Sequence, residues 1–289
     1  MIQNYLRALR PVQWVKNVLV FVPLIAAHET GIEPYLVASI VFLALSTAAS
    51  SGYLLNDVLD LPHDRTHVNK RNRPLAARQV SLLPVCCISI ALGAIAFALA
   101  FSISMVVGLL VMAYLSVSIL YSSFFKRIIL FDVITLAVLF TLRVYAGAAA
   151  VSITLTPWFL AFFIFIFLSL AMVKRLNELR SLEMTGLVVA EGRPYLVQDL
   201  PVIASLAAAN TVAAVVVLAL YIQSKEVARH YAQPEFLWLA LLLLLYWLMR
   251  MVLLANRALA SDDPIYFALT DWISWLVGIS IISVFIGAL

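Results

Sequence analysis

The feature that most constrains this chain is a series of apolar stretches, each about as long as a bilayer core is thick. A helix of about 20 apolar residues crosses a membrane. Apolar residues make up 64% of the chain and charged residues 12%, which leaves too little polar surface for a water-soluble domain. The sequence therefore predicts an all-α polytopic membrane protein of about nine transmembrane helices, a single domain over residues 1–289. The predicted spans lie near residues 14–28, 34–55, 82–101, 104–123, 129–150, 157–173, 200–222, 236–255 and 270–288.

The basic residues are distributed unevenly between the two sides of these spans. Most of the 19 Lys and Arg residues fall in the N-terminal segment or in every second connection. Only Lys225 and Arg229 fall in the opposite connections, and Arg143 lies within a span. Because basic loops stay in the cytoplasm, we expect a cytoplasmic N-terminus and an outside C-terminus, in a bacterial inner membrane.

The strongest chemical motif is Asn56-Asp57-x-x-Asp60-x-x-x-Asp64, at the predicted cytoplasmic end of the second span. At 100° per residue the four side chains share a helix face of roughly 100°, although Pro62 interrupts the helix before the last of them. Carboxylates this close repel one another unless a cation neutralises them. Hard oxygen ligands suit Mg²⁺, which bridges carboxylates to substrate phosphates. We therefore expect the three aspartates to bind Mg²⁺, with Mn²⁺ as the alternative metal; a solvated acidic helix end is the other interpretation.

Basic residues follow this acidic motif directly, at Lys70, Arg71 and Arg73. Arginine forks match the oxygens of phosphate groups. A basic run beside an acidic metal site suits a polyanionic substrate whose charge the metal only partly offsets. The preference of cytoplasmic loops for basic residues explains the same run without any substrate contact.

A second polar cluster begins at the end of the sixth span and contains Lys174, Arg175, Asn177 and Glu178, with Arg193 further along. Lys174, Asn177 and Glu178 share a helix face. The charge topology puts this cluster on the same side of the membrane as the acidic motif. It suggests a second set of contacts for a phosphorylated substrate; a solvated helix at the membrane surface is the alternative.

Polar residues also bracket the turn between the fourth and fifth spans, at Tyr121, Lys126 and Asp132. Asp132 falls about one turn inside a span, where an unpaired carboxylate is costly. A partner is therefore expected, and Lys126 or Lys174 is plausible. Arg143 lies deeper, where it either lines a cavity or extends to the outer face.

These motifs together resemble the UbiA superfamily of intramembrane prenyltransferases. The resemblance covers most of the chain, since further matches precede and follow the acidic motif. They are Arg10-Pro11, Trp14, Lys16-Asn17, Lys70-Arg71, Arg73-Pro74, Tyr121-Ser122, Lys126 and Asp132. The resemblance implies a helical bundle around a central cavity with a cytoplasmic cap, Mg²⁺ held by the acidic motif, and a lateral opening for an isoprenoid tail.

The second cluster departs from family members that prenylate aromatic rings, which carry a second aspartate-rich stretch there. The stretch Lys174-Arg175-Leu-Asn177-Glu178 looks instead like the branch that transfers a phosphoribosyl group to polyprenyl phosphate, as does the stretch from Arg143 to Gly147. That resemblance implies phosphoribosyl diphosphate and an isoprenoid lipid phosphate as substrates. In it Lys174, Arg175 and Arg193 would bind phosphate groups, and Glu178 a ribose hydroxyl.

Two other functions fit parts of the sequence. Transfer of a prenyl group from its diphosphate to an aromatic acceptor needs the same acidic motif but usually a different second one. A transporter would place ionisable residues near the bilayer midplane on several helices, whereas here most of them lie at one face. No nucleic-acid partner is expected. The isoprenoid length, the oligomeric state and the role of the Asp262–Asp271 segment stay open.

Overall fold

The computed structural model describes residues 2–66, 70–186, 193–224, 227, 231–260 and 263–288, and within these ranges its regular elements are helices. The α-helices are α1 (Ile2–Leu9), α2 (Val22–Ala26), α3 (Ile32–Leu59), α4 (Leu61–Thr66), α5 (Leu82–Ile103), α6 (Met105–Ser123), α7 (Phe131–Ala150), α8 (Pro157–Met184), α9 (Leu200–Ile222), α10 (Leu237–Asn256), α11 (Pro264–Thr270) and α12 (Trp272–Ala288). The 3₁₀ helices are Pro11–Phe21, Lys70–Asn72, Phe125–Arg127, Val197–Asp199 and Pro234–Phe236.

Seven helical segments in the described ranges are long and apolar enough to cross a bilayer, and two bent pairs bring the number to nine if each pair is one span. Gln3–Leu9 meets Pro11–Ala26 at 42°, and Pro264–Thr270 meets Trp272–Ala288 at 85°. The prediction of an all-α membrane protein is confirmed. The second break lies inside the last predicted span, 270–288, whereas the first break lies at Arg10, before the first predicted span, 14–28.

Each break has a local cause in the backbone. Arg10, between the first two helical segments, adopts left-handed φ and ψ angles of 53° and 56°. The proline that follows it disfavours a right-handed helical conformation at this position. At the second break Asp271 is extended, with φ and ψ of −89° and 119°.

An unusually long 3₁₀ helix, Pro11–Phe21, follows the first break. Residues three apart share one face of such a helix, and two of them bond to α3. The Trp14 indole N–H donates to Ser50 Oγ at 2.9 Å, and the Asn17 side-chain amide donates to Ser46 Oγ at 3.0 Å. These polar contacts fix the register of the 3₁₀ helix along α3.

The chain divides into two compact units. Unit 1 comprises Met1–Phe125 and Leu142–Leu155, and unit 2 comprises Lys126–Thr141 and Thr156–Leu289. Helix α7 contributes its first half to unit 2 and its second half to unit 1. The expectation of a single domain over 1–289 stays a prediction.

In unit 1, α3 packs on α5 and α6 through small side chains. Ser51 Oγ donates to the carbonyl of Ser89 at 2.8 Å, and Ser89 Oγ donates to the carbonyl of Ser51 at 2.9 Å. Small residues let membrane helices approach closely, and such hydrogen bonds join them where no water is present. The end of α3 is thereby held in place, and the acidic motif is on that end.

Unit 2 is built on α8, which packs against α9 and α10. Ser169 on α8 and Thr211 on α9 share a buried hydrogen bond of 2.7 Å. An apolar core surrounds the last turns of α8; its members include Val133, Ala171, Met172, Val173, Leu176, Leu179, Tyr195, Leu200, Ile203, Ala207, Met251 and Ala255. The polar cluster predicted at the end of α8 therefore emerges directly from a packed core.

Candidate active site

The acidic motif is divided between two helices. The sequence had placed it on one helix face, interrupted at Pro62. Helix α3 ends at Leu59, and Asp60 follows it with φ and ψ of −87° and 0°. Asp57 is thus in the last turn of α3, Asp60 at the junction, and Asp64 in the short helix α4. The regular helix is interrupted at Asp60, just before Pro62, although bonds from Asp60 N–H to the Asn56 carbonyl and from Asp64 N–H to the Asp60 carbonyl, both 2.8 Å, continue across the junction.

Two arginines bring the ends of this motif together. Arg73 Nη1 lies 2.6 Å from Asp64 Oδ2 and 3.2 Å from Asp57 Oδ1. Arg10 Nη2 lies 2.6 Å from the same Asp57 oxygen. The carboxylates are only 1–3% exposed, whereas the two arginines are 25–29% exposed. We call these four residues the unit 1 cluster.

Arg10 is the member of this cluster that was not among the predicted site residues. Its guanidinium also lies 5.0 Å from the ring centroid of Tyr53, within range of a cation–π contact. Asp57 sits at the carboxyl end of α3, where the helix dipole disfavours negative charge, so strong cationic partners are needed there. The Arg10-Pro11 pair was the available sequence signal, since a proline disfavours helix at the residue before it and so indicates a bend at this cation.

The donor set of the unit 1 cluster fits a hard divalent cation. Asp57 and Asp64 are held by one guanidinium nitrogen, and Asp64 Oδ1 is buried without a hydrogen-bond partner. Carboxylate oxygens are the ligands that Mg²⁺ prefers. Among the described residues no group of three His, Cys, Asp or Glu side chains is arranged to hold a metal. Asp57 and Asp64 are therefore the metal-binding carboxylates that already lie close together without a metal.

A cleft of about 220 Å³ opens onto this cluster and is lined by Arg7, Ala8, Arg10, Asp57, Asn72, Arg73 and Pro74. Pockets that enclose drug-sized ligands have volumes of roughly 300–1,000 Å³. The cleft therefore suits a small anion such as a diphosphate better than a whole lipid. Three of its lining residues are arginines, which favours anionic occupants.

A second charged cluster, in unit 2, centres on Arg175. Its Nε lies 3.2 Å from Asp132 Oδ2, and its Nη1 contacts Glu178 Oε2. Arg175 and Asp132 are 1% and 0% exposed, while Glu178 is 36% exposed. The guanidinium thus joins a buried carboxylate to one that solvent reaches. Together with Tyr195, these residues are the unit 2 cluster.

Tyr195, which lies between α8 and α9 shortly before α9 begins, completes the unit 2 cluster. Its hydroxyl donates to Asp132 Oδ1 and accepts the backbone N–H of Leu130 at 3.1 Å. Leu130 has a φ of 64°, a conformation costly for a branched side chain, so this bond supports the turn that begins α7. Burial raises the pKa of the Tyr195 phenol above its usual range, and its bond to the Asp132 carboxylate raises it further. Sequence reasoning did not single Tyr195 out, because one tyrosine in a polar loop carries no pattern.

The partner expected for Asp132 is corrected. Lys126 and Lys174 were the plausible candidates, but the contacts described for this carboxylate come from Arg175 and Tyr195. Arginine suits the position because its charge persists when buried, whereas buried lysine shifts its pKa readily.

Asn177 is also buried, and its Oδ1 has no hydrogen-bond partner.

Arg143 is buried within unit 1, and the alternative that it extends to an exposed surface is wrong. Its Nε donates to Asn17 Oδ1 and one Nη to the Tyr114 hydroxyl, both at 2.8 Å. One turn further along α7, a Cβ on Gly147 would come within 2.0 Å of the Val20 carbonyl oxygen. Only glycine permits this close approach, which brings the 3₁₀ helix near enough for the Asn17 bond.

The other predicted site residues differ in their burial. Arg71 is exposed, and a further five are partly buried: Asn56, Tyr121, Lys126, Lys174 and Arg193. The side chain of Lys70 lies outside the described part of the chain, as do Lys225, Arg229 and Asp262. At the other end of the Asp262–Asp271 segment, Asp271 accepts two bonds from Arg250, at 2.7 and 2.9 Å.

Residues 17–285 match the UbiA prenyltransferase family. The chain belongs to this family. It is therefore an integral membrane protein and a transferase of the UbiA type, as the resemblance of its motifs had indicated. A UbiA homolog from Archaeoglobus fulgidus bound to GPP and Mg²⁺ has the same fold, with a TM-score of 0.70 over 97% of this chain and 99% of that one, at 18% identity.

Curated relatives match this UbiA chain over different lengths. The uncharacterized protein y4nM of Sinorhizobium fredii is 34% identical over all of this chain, which spans 56% of y4nM. The nodulation protein NoeC of Azorhizobium caulinodans is 35% identical over 93% of this chain and 87% of its own length. Decaprenyl-phosphate phosphoribosyltransferase of Mycobacterium tuberculosis is 33% identical over 65% of this chain and 64% of its own length.

Proposed function

We propose that this UbiA protein transfers a 5-phosphoribosyl group from phosphoribosyl diphosphate to a polyprenyl phosphate and releases pyrophosphate. The reaction takes place at the cytoplasmic face of a bacterial inner membrane, with the N-terminus on that side. It depends on Mg²⁺, for which Mn²⁺ can substitute. This assignment is finer than family membership and rests on the chemistry of the two clusters.

The observation that carries the proposal is the composition of the segment at the end of α8. Where ring-prenylating members have aspartates, this chain has a buried arginine that holds Glu178 at the surface, with Lys174 beside it. One glutamate among strong cations is a poor second metal site but suits a substrate with phosphates and hydroxyls. The similarity to the mycobacterial decaprenyl-phosphate phosphoribosyltransferase supports the same choice.

The unit 1 cluster is assigned to the diphosphate. Asp57, Asp60 and Asp64 would hold the Mg²⁺, which when bound offsets the charge of the departing pyrophosphate. Arg10 and Arg73 are exposed enough to contact anionic oxygens from the cleft. These cations, with Lys70 and Arg71 as further candidates, stabilise the charge that develops on the leaving group.

The reaction exchanges one bond at the anomeric carbon for another. The bond from this carbon to the pyrophosphate oxygen breaks, and its electron pair leaves with the pyrophosphate. A phosphate oxygen of the polyprenyl phosphate forms the new bond. The acceptor oxygen is already anionic, so no general base has to remove a proton from it.

The remaining site residues are assigned to the other polar groups of the substrates. Lys174 and Arg193 supply positive charge for the 5-phosphate or the lipid phosphate, and Glu178 accepts a hydrogen bond from a ribose hydroxyl. Asn56, Tyr121, Lys126 and Asn177 are assigned to substrate contacts as well. Arg175 acts chiefly by positioning Glu178, because its own side chain is buried.

The test is direct reconstitution. Purified protein in lipid nanodiscs is incubated with phosphoribosyl diphosphate, polyprenyl phosphates of several lengths and Mg²⁺, and the lipid product is identified by mass spectrometry. A phosphoribosylated lipid is expected, and it should disappear with EDTA. Parallel reactions with prenyl diphosphates and aromatic acceptors test the other branch; activity there without any phosphoribosylated lipid would refute the proposal.

An Asp60→Asn variant links the activity to the acidic motif. It should abolish transfer while leaving insertion into the membrane intact. Glu33→Gln is the matched control, because it removes one carboxylate from the exposed first turn of α3. An equal loss of transfer activity in both variants would indicate a nonspecific effect on the protein and not a role for the acidic motif.

A further inference from the structure

Arg73 lies between two buried carboxylates, those of Asp57 and Asp64. A single nitrogen, Nη1, is within 3.2 Å of both Asp57 and Asp64. Two carboxylates that share one cation reproduce the charge arrangement of a bound metal ion. The second oxygen of Asp64 stays buried without a partner, so the cation in place leaves part of this carboxylate unsatisfied.

Arg73 is held at this position by its backbone. The turn after it is closed by the N–H of Ala77, which bonds to the Arg73 carbonyl at 2.8 Å, and is anchored by the buried side chains of Leu75 and Val80. The guanidinium end is different, since the side chain is 25% exposed and lines the cleft. A fixed backbone with a reachable head group allows the side chain to exchange partners without refolding of the loop.

We propose that Arg73 is the resident counter-cation of the Asp57–Asp64 pair, competes with divalent metal for these carboxylates, and turns to the diphosphate when metal displaces it. Metal binding and anion binding are then coupled, because the displaced guanidinium needs an anionic partner and a diphosphate bound in the cleft provides one. Only the identity of that anion rests on the proposed function; the competition with metal concerns the substrate-free protein.

Substrate-free metal binding tests this role. The affinity for Mn²⁺ is measured by electron paramagnetic resonance on purified protein without any phosphate ligand. Arg73→Gln removes the competing charge and is expected to tighten Mn²⁺ binding by roughly tenfold or more. Arg73→Lys keeps the charge and should bind Mn²⁺ about as weakly as the wild type.

Arg65→Gln is the matched control. Arg65 is exposed, adjoins Asp64 in α4 and carries the same charge, so it reports the effect of net charge alone. A purely structural Arg73 predicts the opposite outcome, because the carboxylates would separate and Mn²⁺ binding would weaken. Weaker or unchanged binding in Arg73→Gln, an equal gain in Arg65→Gln, or an equal gain in Arg73→Lys would each overturn the proposal.

A second measurement needs only the wild type and covers the case in which Arg73→Gln does not fold. Phenylglyoxal modifies accessible guanidinium groups, and mass spectrometry locates the adducts. Mn²⁺ alone should speed modification of Arg73 relative to Arg65, because displacement releases Arg73 from its carboxylates. A rate at Arg73 that Mn²⁺ leaves unchanged or lowers would contradict the proposal. Neither measurement depends on transfer activity, so failure of the phosphoribosyl assignment would leave these results interpretable.

Discussion

The two charged clusters bury their ions in different ways. In the unit 1 cluster the carboxylates are buried, while their arginines remain 25–29% exposed. In the unit 2 cluster the central pair, Asp132 and Arg175, is 0% and 1% exposed, and only Glu178 reaches solvent. The first cluster can exchange its cations with the surroundings, and the second cannot.

This difference suggests different roles for apparently similar ion pairs. A fully buried pair is strongly coupled, since removal of one partner leaves an uncompensated charge in a low-dielectric core. A pair with one accessible partner is weaker but can be rearranged by an ion or a substrate. The unit 1 cluster therefore has the properties of a reaction site. The unit 2 cluster has those of a structural scaffold with one functional edge, by which we mean the part that a substrate can reach, at Glu178.

Arg175→Met should have the largest effect, because it leaves Asp132 charged in the core of unit 2. We expect the free energy of unfolding to fall by about 3–5 kcal/mol, measured by SDS titration of the purified protein. Arg180→Met is the matched control on the same helix. Arg180 is 29% exposed, pairs with Glu183 in the same i, i+3 spacing and donates to Asn256 Oδ1 at 2.7 Å, so its loss should cost only about 1–2 kcal/mol. Similar costs in both variants would contradict the scaffold role.

Asp57→Asn is expected to lower the transfer activity strongly and the stability only slightly, the opposite of Arg175→Met. Transfer should fall by roughly 10²–10³-fold, the cost of losing preorganised charge stabilisation at a leaving group. Stability should change little, because solvent can hydrate Arg10 and Arg73 once their partner is neutral. The rate of product formation and an SDS titration on the same preparation check both parts. A large loss of stability would show that this cluster is also a scaffold.

The sequence was sufficient to predict the helices and the family, because apolar length and charge bias act locally along the chain. It was less successful where the backbone departs from ideal geometry. Arg10 is left-handed between two helical segments, and Asp60 divides the acidic motif, which the sequence had placed on one helix face, between α3 and α4. Pro11 indicates only that Arg10 is not right-handed helical, and no neighbouring residue specifies the φ and ψ angles of Asp60.

Tyr195→Phe tests how much the unit 2 scaffold depends on its long-range member. Loss of the bond to Asp132 should cost about 2 kcal/mol near neutral pH, as for other hydrogen bonds to charged groups. The pKa of Tyr195 is raised in the folded protein, so the folded state holds the phenolic proton more tightly. This contribution is full below the unfolded pKa of about 10 and declines as the pH rises above it. The difference between variant and wild type should therefore narrow at about pH 11, and a constant difference would refute this origin.

The partners within each cluster were the least predictable part of the site. Lys126 and Lys174 were reasonable candidates for Asp132 by distance along the chain, yet Arg175 and Tyr195 make the described contacts. Tyr195 is 63 residues from Asp132 in sequence. Local patterns carry no information about a contact that depends on how the intervening helix packs.

Glu178→Gln should have the smallest effect and define the boundary of the scaffold. Glu178 is 36% exposed, and the amide oxygen of a glutamine can still accept a hydrogen bond from Arg175, so stability should barely change. Replacing a charged acceptor for the ribose hydroxyl by a neutral amide should raise the KM for phosphoribosyl diphosphate roughly tenfold, equivalent to about 1.4 kcal/mol. Glu183→Gln is the matched control, since it has the same i, i+3 contact with an arginine on the same helix and is 44% exposed. If both variants keep wild-type KM values, Glu178 belongs with the scaffold, and the functional edge of the unit 2 cluster lies at Lys174 or Arg193 instead.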